Sequence, residues 1–406
     1  MDIDISIKEF REFVSENPYE EIWRQLYYFT DVDSVNKKIR QRLLIEDGKY
    51  GNDSRKQAQQ LAYSIIQAKN YFESARHVDV SVKPNLIYYG MSSLANTVIL
   101  YNNDGTFSLD HLRDKKKEEH HGLEKCFNLR KDGSLQDILK SISCKIYKKL
   151  SSEEPYGHFK NFYNSIVHEC VFVNSETNTL GQNSYLTGKL IAPWVEKVEI
   201  ENLIDCKFDL LTMFGFLPDM TQQFPNNGIV SNLYRGEAKC SVYQSQQSQS
   251  NEAEISSQNN YHEFSFSINK LSPEKKEYFM KQYLQNKAIQ EIDDPEIDEY
   301  SENLLFIYDS RLESENHIMP DITQDLFGRI YFIYNVEEYI QELANLYICF
   351  FCTGMLCRYY PDYWMYWIEK NVGFKHLMET LCSIAIRKFP NLILNQLTQC
   401  INYFHL

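Results

Sequence analysis

The stretch LYICFFCTGMLCRYYPDYW (346–364) decides how the helical end of the chain is organised. Its first twelve residues carry no charge and predict an apolar helix. Pro361 cannot continue that helix, and it pushes Tyr360 toward extended geometry. Two tryptophans follow on overlapping faces of a second helix. The stretch therefore predicts two helices joined at an aromatic corner.

Composition places the chain among ordered globular proteins. Its 406 residues suffice for two or three domains, and its 15 glycines are too few for collagen or glycine-rich β-repeats. The formal net charge of −14 disfavours non-specific binding to nucleic acid, although local basic patches could reverse that. Charge alone favours protein or small-molecule partners.

Cysteine use and the N-terminal sequence predict a cytoplasmic location. The ten cysteines are irregularly spaced, and MDIDISIKEF at the N-terminus has no apolar signal segment, so reduced thiols are expected. The longest apolar run, 346–357, is too short to span a bilayer, so no membrane association is predicted.

The N-terminal part of the chain predicts helices. Apolar residues recur at helical spacing over 6–46, 54–79 and 85–103, and a further helix is expected at 134–150. Because only a short proline-containing break separates the second helix from the third, they predict an αα-hairpin. We assign 1–150 to an N-terminal helical region.

The middle of the chain, 151–270, predicts a β-containing region. β-forming residues alternate or cluster in five segments, and the polar, low-complexity run 245–260 predicts a surface loop or a disordered insertion. The predicted strands are 168–174, 185–194, 197–204, 232–244 and 261–269.

The last third, 271–406, predicts an aromatic-rich helical region. Its predicted helices are 272–284, 336–357, 362–370 and 373–403. The predicted fold class is therefore α+β, predominantly α-helical, with helical N- and C-terminal regions flanking a β-containing middle region.

Three stretches together resemble the bacterial YaaC-like family. They are YFESARHVDVSVKPNLIYYGMSSLA (71–95), HHGLEK (120–125) and the segment from DITQDLFGRIYFI to RYYPDYW (321–364). The resemblance implies an intracellular bacterial protein and no particular reaction. Our leading interpretation is that the chain acts by association with a protein or a nucleic acid, and the resemblance allows a role in phage defence.

The aromatic corner is also a candidate binding site. Arg358, Tyr359 and Trp364 could form a pocket for a nucleotide or a base, or they could only lock the corner by packing. Arg76 and His77, at the end of a predicted helix, form a second candidate for phosphate, or they could complement the negative end of the helix dipole.

A nuclease is the rival interpretation. Asp219, Glu237 and Lys239 follow the order of the PD-(D/E)xK signature, in which two carboxylates hold Mg²⁺ and a lysine polarises the attacking water. Asp219 and Glu237 would then be the metal ligands. The alternative is a solvent-facing strand that carries a charge pair.

Arg113 and His120 suggest a third possibility. Their spacing resembles the Arg-x(4–6)-His element of HEPN ribonucleases, although the residues between them, DKKKEE, lack apolar anchors. Whether the chain is an enzyme stays open on the sequence. No phosphate-binding glycine motif occurs, and no cofactor is predicted apart from Mg²⁺ for the nuclease. A protein partner or a homo-oligomer is expected, and nucleic acid is the other candidate partner.

Overall fold

The computed structural model describes most of the chain. The described residues are 6–7, 9–42, 51–102, 108–114, 120–149, 154–169, 173–180, 183–190, 198–244, 260–268, 270–284, 289–291, 304–309 and 321–405. The predicted insertion at 245–260 lies outside these ranges apart from its last residue.

Helices outweigh strands in the described residues, so the predicted α+β, predominantly helical class is confirmed. The α-helices are α1 Pro18–Tyr27, α2 Val32–Arg42, α3 Gly51–Arg76, α4 Lys83–Asn102, α5 Leu109–Asp114, α6 Leu135–Ser141, α7 His158–Ser165, α8 Leu210–Gly215, α9 Pro273–Leu284, α10 Glu342–Tyr359, α11 Pro361–Lys370 and α12 Val372–Thr398.

The strands are mostly short. They are β1 Ser6–Ile7, β2 Glu9–Val14, β3 Leu123–Lys125, β4 Ser143–Ile146, β5 His168–Glu169, β6 Val173–Leu180, β7 Asn183–Leu190, β8 Phe208–Asp209, β9 Leu233–Gln244, β10 Asn260–Ile268, β11 Ile289–Glu291, β12 Leu304–Asp309, β13 Ile322–Gln324, β14 Ile330–Ile333 and β15 Cys400–His405.

The chain forms two compact units. The first unit comprises Met1–His168, Lys197–Ser231 and Ile340–Leu406, and the second comprises Glu169–Glu196 and Asn232–Tyr339. These units group residues by proximity, so the division into folding domains near 150 and 270 stays a prediction.

The core of the first unit is built around α10. All fourteen residues from Leu343 to Leu356 are buried, because the run contains no charged side chain that would need water. Helix α10 packs against α4, which forms the expected αα-hairpin with α3. Gly90 lets these two helices approach closely, since a Cβ there would lie 2.8 Å from the Phe72 ring.

The aromatic corner forms as expected at the end of α10. The backbone leaves helical geometry at Tyr360 (φ −134°, ψ 51°), and Pro361 begins α11. The indole nitrogen of Trp367 donates to the carbonyl of Lys131 at 3.2 Å. The corner is therefore locked to the loop that follows β3.

Three predicted helices, 6–46, 134–150 and 373–403, were wrong in part, because a segment of each forms a strand instead. Within 6–46, Glu9–Val14 forms a strand that pairs in parallel with Cys400–His405, the end of the predicted helix 373–403. Within 134–150, a capping box of Ser134 and Asp137 begins α6, but the chain then becomes strand β4, which pairs with β3 and β8.

The second unit contains an eight-stranded sheet. Strand β9 pairs with β10 along one side, and it pairs with β14 and β7 over successive parts of its length. The two predicted strands at 232–244 and 261–269 are therefore confirmed. The predicted strand at 197–204 was wrong, because that segment is a 3₁₀ turn at Ile200–Leu203 in the first unit.

Candidate functional site

An exposed arginine stands at the C-terminal end of α10. The Arg358 guanidinium donates a hydrogen bond to the Tyr89 hydroxyl and lies 4.9 Å from the ring centroid of Tyr359. Among the described residues, no carboxylate forms an ion pair with it. Tyrosines therefore hold this cation in place without neutralising its charge.

A lysine from β3 approaches the same corner. Lys125 Nζ donates to the Tyr360 hydroxyl at 2.9 Å and lies 4.8 Å from the centroid of that ring. It also lies 5.7 Å from the centroid of Tyr359. Like Arg358, it has no carboxylate partner in the part of the chain that the structure describes. We call Lys125, Arg358, Tyr359 and Tyr360 the tyrosine–cation surface.

A histidine lies beside this surface. The imidazole of His121 is exposed, and its Nδ1 is 3.0 Å from the hydroxyl of Tyr88, a buried residue of α4. Partial burial, the positive charge of Arg358 and the neighbouring His120 lower the pKa of His121. Its neutral form is therefore favoured at neutral pH.

Hydrogen bonds continue from Tyr88 into the core. Tyr88 is hydrogen-bonded to Tyr347 of α10, whose hydroxyl lies 3.0 Å from Nδ1 of His158. The other ring nitrogen of His158 lies 2.9 Å from Oδ1 of Asn96. Burial lowers the pKa of His158 to about 4, so this histidine is neutral at physiological pH.

Two glycines bring the His120–Gly122 loop onto the start of α7. Gly157 has a φ of +104°, and a Cβ there would lie 2.7 Å from both the Gly122 nitrogen and the His120 carbonyl oxygen. The first amides of α7 bond to the loop, His158 N to the His120 oxygen at 2.9 Å and Phe159 N to the His121 oxygen at 3.0 Å. The histidine pair is therefore fixed by backbone contacts.

A cleft of about 470 Å³ opens along the segment that follows β3. Its basic residues are Arg130, Lys140 and Lys207, and Asp132 and Asp137 also line it. Lys131, between Lys125 and this cleft in the sequence, lies over the Tyr363 ring and 3.9 Å from the Asp362 carboxylate.

The other predicted binding residues have different environments. Trp364 is fully buried, 5.6 Å from Phe374, and has no exposed ring face. Arg76 faces two carboxylates, Glu20 at 3.4 Å and Glu73 at 3.3 Å, and His77 beside it is exposed. A phosphate at Arg76 would have to compete with both acids.

The predicted nuclease residues are divided between the two units. Asp219 belongs to the first unit, where its buried carboxylate pairs with Lys388 of α12. Glu237, which is exposed, and Lys239 lie on β9 of the second unit. A Mg²⁺ ion would have to displace Lys388 from Asp219, so Asp219 suits a structural ion pair better than a metal site. The nuclease stays a prediction.

No group of three or more metal-ligating side chains occurs within the residues that the structure describes. Cys349 and Cys352 are buried in α10, and burial raises the pKa of the Cys349 thiol. These cysteines pack as small apolar residues.

The predicted ribonuclease pair is solvent-exposed. Arg113 forms an ion pair with Asp110 at 3.1 Å, and the His120 ring lies 4.5 Å from that of Tyr147. Residues 115–119 between them lie outside the described ranges. Catalysis by this pair also stays a prediction.

Sequence reasoning singled out Arg358 and Tyr359 but missed Lys125, His121 and Tyr88. These three residues lie within the stretches 71–95 and 120–125, on which the family resemblance rests. A signal was therefore available, because two of the resembling stretches form the tyrosine–cation surface and the third supplies Tyr88 and Tyr89, which bond to His121 and Arg358.

The fold and this surface define an α+β protein whose helical unit presents paired cations among tyrosines. The family model described as YaaC-like Protein matches residues 27–397, and the chain belongs to this family. No curated protein matches the chain, and no solved structure does. Among the described helices, none is long and apolar enough to cross a membrane.

Proposed function

We propose that this chain binds single-stranded nucleic acid on the tyrosine–cation surface. One observation carries the proposal: Lys125 of β3 and Arg358 of α10, which form no ion pair with a carboxylate among the described residues, both lie against the ring of Tyr359. The hydroxyls of Tyr360 and Tyr89 hold these two cations by hydrogen bonds. Proteins that bind single strands combine these elements, with cations for the phosphates and aromatic faces for the bases.

The tyrosines leave room for a base. Tyr359 is 52% exposed, and both cations lie within 6 Å of its ring centroid. Stacking of one base on such a ring contributes about 1–3 kcal/mol. The phosphates on either side of that base would then reach Arg358 and Lys125.

The acidic net charge does not oppose a local site. Residues 120–149 hold seven Lys and Arg against three Asp and Glu, which reverses the balance of the whole chain. Arg130, Lys140 and Lys207 of the neighbouring cleft extend this positive charge. We therefore expect a short footprint and binding that weakens steeply as salt rises.

A cytoplasmic location, a role in phage defence and homo-oligomer formation are further proposals that are compatible with this function. A cytoplasmic protein has access to transcripts and to the nucleic acid of an infecting phage. A role in phage defence would appear as a lower plating efficiency of phage on bacteria that express the chain, lost with the Lys125→Gln/Arg358→Gln double variant. A homo-oligomer would place two such surfaces in one particle, and light scattering would report its mass.

The test is an equilibrium titration followed by fluorescence anisotropy. The probes are labelled single strands of RNA and DNA of about 12 nucleotides, within the range of known site sizes, and a duplex of the same sequence. Wild type should bind the single strands, and the double variant should bind at least about 10-fold more weakly.

The matched control is Arg24→Gln, which removes an exposed arginine that already pairs with Glu21 at 2.6 Å. It should bind like wild type. Equal binding by wild type and the Lys125→Gln/Arg358→Gln variant would overturn the proposal.

A further inference from the structure

We infer that the tyrosine–cation surface also cleaves RNA, with His121 as the general base that removes the proton of a ribose 2′-hydroxyl. The inference rests on the proposed function, because the cations must first hold the strand. It names RNA as the substrate class, and it assigns a reaction to residues outside both predicted catalytic sets.

The hydrogen-bond chain behind His121 sets its tautomer. Oδ1 of Asn96 only accepts, so His158 donates to it from Nε2, and Nδ1 of neutral His158 must accept from Tyr347. The Tyr347 oxygen then accepts from Tyr88, and the Tyr88 oxygen accepts from Nδ1 of His121.

His121 is thereby left with a proton on Nδ1 and a lone pair on Nε2. Because Nδ1 faces the buried Tyr88, Nε2 faces the exposed side of the ring. This is the arrangement of a histidine general base whose second nitrogen is oriented by a partner. Tyr88 is the positioning residue.

Several contacts bring the base close to the phosphate-binding cations. The His121 ring lies 6.0 Å from Phe351, which shares a face of α10 with Arg358 two turns later. Tyr88 holds His121, and the adjacent Tyr89 holds Arg358. Lys125 follows His121 by four residues on the same loop and strand.

The step is a transesterification that needs no further reactant. His121 Nε2 takes the 2′-hydroxyl proton, O2′ forms a bond to the adjacent phosphorus, and the bond from phosphorus to O5′ breaks. The departing O5′ takes a proton from water, and His121 returns its proton to solvent. Arg358 and Lys125 stabilise the charge on the phosphoryl oxygens. The products carry a 2′,3′-cyclic phosphate and a 5′-hydroxyl.

The ionisable groups around His121 favour the neutral base. Among the described residues, the titratable and charged groups around it are His120 on its own loop, Arg358 from α10, the Tyr88 hydroxyl from α4 and His158 from α7. Partial burial and the charges of Arg358 and His120 lower the pKa of His121, so cleavage should persist at pH values below the ordinary histidine pKa of 6.5.

The experiment measures binding and cleavage separately on wild type and His121→Gln. The substrate is a labelled RNA in EDTA, compared with the same strand carrying a single 2′-deoxyribose at the cut position. We expect wild type to cut the RNA only, and His121→Gln to bind normally but cut at least about 100-fold more slowly.

A second measurement does not depend on turnover. The ¹⁵N NMR shifts of His121 should show its proton on Nδ1 in wild type, and Tyr88→Phe should abolish this preference. A proton on Nε2 in wild type would overturn the inference.

The remaining outcomes separate the two proposals. If wild type binds RNA but leaves it intact, the cleavage inference falls and the binding function stands. If it does not bind, both fall. Cleavage that survives in His121→Gln but is lost in Arg113→Ala or His120→Gln would overturn the inference in favour of the other pair.

Discussion

A buried ion cluster in the first unit allows a quantitative test that separates structural from catalytic roles. Lys388 of α12 is 4% exposed, and its ammonium pairs with Asp219 and with Glu342, the latter at 2.6 Å. Burial lowers the pKa of Lys388, but the two carboxylates outweigh burial and leave its pKa above the ordinary value. Lys388 is therefore charged at neutral pH.

Substitutions of Lys388 and of Asp219 should lower the free energy of unfolding by different amounts. Lys388→Met removes the buried ammonium that pairs with both carboxylates, which should lower the free energy of unfolding by about 3–5 kcal/mol. Asp219→Asn keeps the pair of Lys388 and Glu342 and removes one charged hydrogen bond, so about 1.5–3 kcal/mol is expected. Asp33→Asn removes an exposed ion pair with Arg55 and should cost less than about 1 kcal/mol.

Urea unfolding followed by tryptophan fluorescence measures these differences. Trp23, Trp364 and Trp367 are all buried in the first unit, so their emission reports its unfolding. The structural account would be refuted if Asp219→Asn kept wild-type stability within about 0.5 kcal/mol. If that variant also lost Mg²⁺-dependent cutting of DNA, the nuclease interpretation would gain support.

Three further predictions follow from the site. Gly157→Ala should lower the free energy of unfolding in urea by about 2 kcal/mol or more, because the added Cβ would meet the backbone of the His120–Gly122 loop. Gly228→Ala, where the added Cβ has room, should lower it by about 1 kcal/mol. Equal losses would contradict the close packing of Gly157 against that loop. The unfolded chain protonates His158 more readily than the folded protein does, so the free energy of unfolding of wild type should be highest above pH 6.5 and should fall by about 3 kcal/mol toward pH 4. His158→Gln should show a smaller fall over this range. Identical pH profiles for the two proteins would show that another group causes the loss. The slope of log K against log salt is negative, and the Lys125→Gln/Arg358→Gln variant should make it less negative by about 1.4; an unchanged slope would show that these cations do not touch phosphate.

Local sequence predicted some helices of the first unit, but not the strands that replace parts of the others. Apolar spacing and Pro361 act within a few residues, so α3, α4, α10 and α11 could be read without tertiary information. Strand Glu9–Val14 could not be predicted in this way, because its partner strand lies almost 400 residues away in the sequence. Its extended geometry depends on backbone hydrogen bonds to that partner.

The candidate site was harder to predict for the same reason. Arg358 and Tyr359 stood out as an unusual pattern, but Lys125 resembled an ordinary charge in a loop until β3 placed it against Tyr360. Asp219 resembled a metal ligand because its partner, Lys388, follows 169 residues later. A local motif shows which chemistry a residue can perform, and tertiary contacts decide whether the residue is available for it.

The most direct test of the central claim is ultraviolet cross-linking of a bound single-stranded RNA, followed by mass spectrometry of the digested protein. The account predicts that the linked nucleotide maps to Tyr359 or Tyr360 and that the Lys125→Gln/Arg358→Gln variant loses the adduct. Cross-links confined to the second unit, or an equal yield from the variant, would contradict it.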